Sequence, residues 1–126
     1  MKRVLLCGGE PALAEELNTA FHEAGGFAIV ACPGGAQSPS DLVAYRPDII
    51  LLDAGEEPAT RFLSMMKYPT PLPIVLRMRS TSAEFAFGTV TMGVRGVIFK
   101  SASIETLRSC LTSVSEGELW FDRSIF

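Results

Sequence analysis

Short apolar runs alternate with amphipathic stretches from one end of the chain to the other. Val4–Cys7 reads as a first strand. Pro11 follows where a helix accepts a missing N–H, and Leu13, Leu17, Ala20, Phe21 and Ala24 then recur at helical spacing. Gly25-Gly26 stops that helix, and Phe27–Cys32 makes a second strand, broken by Pro33-Gly34-Gly35. Ser40–Tyr45 reads as a short helix with Ser38 or Ser40 as its cap. Ile49–Leu52 is apolar on both faces, as a central parallel strand is, and ends at Asp53. Pro58–Met66 predicts a short helix ahead of Pro69, Pro71 and Pro73, and Ile74–Leu76 a fourth strand. Ala83–Met92 is a helix poor in strong formers, closed by Gly93, and Gly96–Phe99 is a fifth strand. Ser103 caps a last helix with Ile104, Leu107, Leu111 and Val114 on one face and Gly117 just past its end.

Strands alternating with helices predict an α/β domain. Parallel strands need crossovers, and helices on both faces supply them. The product is one doubly wound parallel sheet of five strands with five helices. Such sheets carry their sites at the carboxyl ends of the strands. That places Gly8-Gly9-Glu10, Asp53-Ala54-Gly55, Arg77-Met78-Arg79 and Lys100 along one edge.

Composition narrows the classes. The 126 residues suit a single core, and 48% hydrophobic with 20% charged residues is the balance of a globular domain. No apolar run reaches the roughly 18 residues of a membrane helix. The opening Met1–Cys7 run halts at Gly8-Gly9-Glu10, too early for a signal peptide, so a cytoplasmic location is expected. A net charge of −3 with no basic face argues against direct nucleic-acid contact. Cys7, Cys32 and Cys110 show neither CxxC spacing nor a histidine pair, which leaves metal binding and a disulfide framework unsupported and suggests small core residues. The lone His22 lies within a helix beside Phe21, away from the strand ends, and no Ser–His–acid set can be assembled.

Two residues carry the candidate chemistry. Asp53 closes a central strand, where a carboxylate serves as a turn cap, a nucleophile or a metal ligand. Lys100 ends the fifth strand, beside the third in an open sheet; it is a solvated strand end or a cation that keeps Asp53 ionised and pairs with an added phosphoryl group.

The chain resembles the receiver domains of response regulators of the LuxR/NarL/FixJ class. The resemblance rests on Arg46-Pro47-Asp48-Ile49-Ile50-Leu51-Leu52-Asp53, on Gly93-Val94-Arg95-Gly96-Val97-Ile98-Phe99-Lys100 and on Glu116-Gly117-Glu118-Leu119-Trp120-Phe121. It implies a flavodoxin-like sheet of order 2-1-3-4-5, a receiver over residues 1–122 and the start of a linker at 123–126. It further implies Asp53 as phosphoacceptor, Lys100 as the phosphate-pairing lysine and a histidine kinase as phosphoryl donor. A homodimer and a C-terminal helix-turn-helix DNA-binding domain outside this chain complete the expected partners.

The departures from that pattern lie in the site. The acidic pair that holds magnesium in the family falls on Gly8 and Gly9, leaving Glu10 as the one substitute. Asp53 and the Gly55 backbone then remain as Mg2+ ligands, and the ion is expected to bind weakly at most. The hydroxyl switch position falls on Met78, or on Arg77 by a one-residue shift, and the aromatic switch position on Val97. Ser80 or Thr81 replaces the hydroxyl only if the loop is rebuilt. Glu56 and Glu57 add negative charge after Asp53. Arg77 and Arg79 are candidates for an ion pair with Asp53, the alternative being solvent, more so for Arg79. These features predict an atypical receiver, not an independent enzyme, with little or no Mg2+-dependent phosphorylation and no required cofactor. The competing reading is a flavodoxin-like module that binds an anion or small ligand at the Gly8-Gly9 turn. Trp120, Phe121, Ile125 and Phe126 leave an apolar tail that packs on the domain or precedes a linker.

Overall fold

The computed structural model describes residues 1–22, 25–32, 42, 44–66 and 72–126. The strands are β1 Lys2–Gly8, β2 Phe27–Cys32, β3 Ile49–Asp53, β4 Ile74–Met78, β5 Val94–Phe99 and β6 Trp120–Phe121. The helices are α1 Leu13–Phe21, α2 Glu56–Met65, α3 Ala83–Val90 and α4 Ile104–Ser115, followed by a 3-10 turn at Arg123–Ile125. Among the described residues the sheet has six parallel strands in the order β2-β1-β3-β4-β5-β6.

The expected five-stranded sheet is thus extended by one. Trp120 and Phe121 pair with Gly96 and Val97 on the open edge of β5, and the Asp122 N–H donates to the Val97 carbonyl at 2.9 Å. A two-residue strand has no periodicity to read; it forms because β5 offers unpaired backbone groups. The expected helix at Ser40–Tyr45 lies largely outside the described residues, although Leu42 is fully buried.

Two apolar layers cover the sheet. Leu13, Leu17 and Phe21 of α1 and Leu107, Cys110, Leu111 and Val114 of α4 pack with Val4, Leu6, Ile49, Leu51, Val75 and Ile98 on one face. Ala59, Phe62 and Leu63 of α2, Ala86 of α3 and Ile125 pack with Leu5, Ile50, Leu52, Ile74, Leu76 and Val97 on the other. Alternating strand residues feed the two layers, so β3 is buried at all five positions. Each such Leu or Ile contributes about 1.5–3 kcal/mol. The apolar tail packs on the domain: Ile125 enters the core, and Phe121 and Phe126 lie 5.3 and 5.4 Å, centroid to centroid, from Phe87 of α3.

Local chemistry fixes the element ends. The hydroxyls of Ser82 and Ser103 accept from the N–H groups of Phe85 and Thr106, both at 3.1 Å, and so cap α3 and α4. α1 has no N-terminal side-chain cap, and His22 is the exposed residue just past its last, Phe21, not a mid-helix one. At the sheet edge, the Asn18 amide donates to the Ile29 carbonyl at 2.8 Å and accepts from the Ile29 N–H at 2.9 Å. Asp48 of the first motif is structural: its carboxylate accepts from the Arg3 N–H at 2.8 Å and anchors the entry to β3.

Candidate functional site

Asp53 is the last residue of β3 and one of the two buried polar residues among those described, 4% exposed. Its strand neighbours are Gly8 on β1 and Arg77 on β4. In-register partners project from the same face of a sheet. The Arg77 guanidinium therefore reaches the carboxylate and bonds Oδ2, and Lys100 Nζ bonds Oδ1 at 2.8 Å. The side chain of Asp53 is 1% exposed, against 20% for Arg77 and 36% for Lys100. Both carboxylate oxygens are engaged by cations, and the cluster carries one net positive charge.

Lys100 stands just past β5, positioned by its own N–H, which donates to the Met78 carbonyl at 2.8 Å. The neighbouring Phe99 N–H donates to Asp122 Oδ2 at 3.5 Å. Burial pushes the Asp122 carboxyl up, but the Ser124 hydroxyl and the N–H groups of Ser124 and Phe99 outweigh that and hold it below its usual value. Asp122 was not legible as part of this region from spacing; Asp122-Arg123-Ser124, an Asp that bonds its own backbone two residues on, is the signal that marks it.

The backbone at positions 8 and 9 is of a kind that suits glycine. Gly8 and Gly9 have φ of +81° and +80°, which favour glycine. A Cβ on Gly8 would run into the Asp53 carbonyl oxygen, and one on Gly9 would meet Leu13 Cδ2 at 2.9 Å and Asp53 Cγ at 3.3 Å. The turn thus packs directly on Asp53. Glu10 is exposed, and its side chain makes no hydrogen bond or ion pair among the described residues.

The structure separates the remaining candidates. Arg77, not Met78, faces Asp53; Met78 points into the opposite layer with Val97, and both are fully buried. Arg79 is exposed and forms no ion pair among the described residues. The Thr81 hydroxyl donates to Glu56 Oε2 at 2.7 Å, tying the β4–α3 loop to α2, and among the described residues no hydroxyl bonds the Asp53 carboxylate. Gly55 is the residue before α2, and its carbonyl accepts from Ala59 N–H at 3.0 Å. A divalent cation does not fit this donor set. Mg2+ takes six oxygens, commonly including one or two carboxylates, whereas both oxygens of Asp53 are bonded to side-chain cations. Among the described residues no group of three His, Cys, Asp or Glu stands together. No described helix is long and apolar enough to cross a membrane.

No protein-family model and no curated protein matches the chain. Solved structures do. A two-component response regulator of the LuxR family from Aurantimonas sp. SI85-9A1 superposes with a TM-score of 0.76 at 20% identity, covering 99% of this chain and 92% of that one. A LuxR family DNA-binding response regulator from Silicibacter pomeroyi gives 0.73 at 22%, covering 98% and 99%. The isolated REC domain of RcsB from Salmonella enterica serovar Typhimurium in its apo form gives 0.73 at 11%, covering 99% and 96%. The chain has the receiver fold of response regulators.

Proposed function

We propose that the chain is the signal-receiving domain of a response regulator of the LuxR type, working with little or no Mg2+-dependent phosphorylation of Asp53. The observation that carries this reading is the bonding of both Asp53 oxygens to Arg77 and Lys100 beside a turn built from Gly8 and Gly9. A carboxylate attacks phosphorus through an oxygen lone pair. Here each oxygen is already hydrogen-bonded and charge-paired, and charge-assisted bonds are the strong ones. A phosphoryl group would also have to be stabilised without the metal its charge calls for. The module then signals through its protein surfaces, as a homodimer and through a C-terminal DNA-binding domain that controls transcription. A histidine kinase remains the partner class that the receiver fold suggests. The full receiver-type sheet, its carboxyl-edge placement of Asp53 and Lys100, and the likeness to DNA-binding response regulators support this assignment.

The test is intact-mass spectrometry after incubation with Mg2+ and acetyl phosphate, beside an Asp53→Ala control. The expected spectrum has no phosphoryl adduct. An adduct present in the parent and lost in the control would overturn the reading and make this a working phosphoreceiver.

A further inference from the structure

The strand register joins two residues that are remote in sequence. Cys7 and Cys32 are Cα partners in the β1–β2 ladder. Partners share a face, and both side chains lie in the layer with α2 and α3, Cys7 1% and Cys32 7% exposed. Adjacent strands run about 4.8 Å apart, within the Cα separation of about 4.4–6.8 Å that a disulfide spans, and the two Cβ atoms, side by side in a parallel ladder, need close by only a few tenths of an ångström to reach its usual roughly 3.5–4.5 Å. Both side chains are thiols. Cys110, the third cysteine, lies in the layer on the opposite face, with the sheet between it and the pair. Burial, with Asp122 adding to it, pushes the Cys110 thiol up to about 12. It stays protonated and is a poor nucleophile.

We propose that Cys7 and Cys32 form a two-electron redox site, a cross-strand dithiol that a hydroperoxide converts to a disulfide. Cys32 lies on the edge strand and is the less deeply buried of the two, so its sulfur attacks first. A sulfur–oxygen bond forms, the peroxide O–O bond breaks, and the leaving oxygen takes a proton. The Cys7 sulfur then attacks the resulting sulfenic acid. The S–S bond forms, the S–O bond breaks, and water departs with the Cys7 proton. Two electrons pass from the thiols to the peroxide. The pair lies outside the Asp53 cluster, and its chemistry does not depend on the reading of that cluster.

The intact, prereduced chain is exposed to hydrogen peroxide, denatured, alkylated with iodoacetamide and mapped by peptide mass spectrometry. The expected result is the loss of two of the three alkylatable thiols, a joined pair of peptides carrying Cys7 and Cys32, and an alkylated Cys110. Cys7→Ser and Cys32→Ser each remove the cross-link, and Cys110→Ser keeps it. The map of the unsubstituted chain decides the matter even if a variant fails to fold. Three thiols still open to alkylation, oxidation to sulfur acids without a cross-link, or a cross-link through Cys110 or between two chains would each overturn the proposal.

Discussion

The carboxyl edge of the sheet has two unlike halves around Asp53. On the β1 side the turn is Gly8-Gly9, without side chains and with left-handed backbone packed on the aspartate. On the β4–β5 side stand two long cationic side chains, both bonded to it. A buried carboxylate must be paired, because taking it out of water unpaired costs several kcal/mol. The two halves show one way of meeting that demand. Where β1 supplies no acid to share a metal ion, β4 supplies a guanidinium covalently fixed to the chain. A bound ion exchanges with solution and a side chain does not, so the pairing of Asp53 does not depend on a metal ion in solution.

Restoring an acid to the empty half is the strongest way to break this contrast. Gly8→Asp puts a Cβ into the Asp53 carbonyl at a positive φ and a second carboxylate beside the first. Urea unfolding is expected to show a loss of more than about 3 kcal/mol, from overpacking and strain together. Retained stability would mean that the turn rebuilds and the halves are not fixed. Next comes Arg77→Ala, which leaves a carboxylate with a 1% exposed side chain half-paired. Breaking such a pair costs about 3 kcal/mol, and a midpoint unchanged from the parent's would show that Arg77 is not what balances Asp53. The smallest effect is expected from Lys100→Ala, whose side chain is 36% exposed and screened by water. About 1 kcal/mol is lost there, and a larger loss than for Arg77→Ala would move the principal cation from β4 to β5.

Much of this was legible in the sequence where it depends on local pattern. The apolar Ile49–Leu52 run, the Ser103 cap and the Gly25-Gly26 stop each state an element within a few residues, and the observed elements begin or end close to them. Asp53 and Lys100 meet as the fold class requires, since strand ends β3 and β5 flank β4 in the sheet. What depends on pairing was not legible. Whether Arg77 or Met78 faces Asp53 turns on a one-residue register, and a strand changes face at every residue. The pairing of Trp120-Phe121 with β5 and the adjacency of Cys7 and Cys32 are long-range facts with no local period. Spacing rules for cysteine read distance along the chain, and here the distance that matters is across it.

The Asn18–Ile29 contact has a consequence for self-association. β2 is an outer strand, and an outer strand offers its free N–H and C=O groups to any extended peptide in solution. The Asn18 carboxamide presents one donor and one acceptor to Ile29, as a neighbouring peptide unit would. An incoming strand must displace both bonds before it can template on that rung. At the other margin the sheet ends in two residues, too short to seed a growing ladder. Each margin is thus blunted by a different device, one rung of β2 by a side chain and β6 by its shortness.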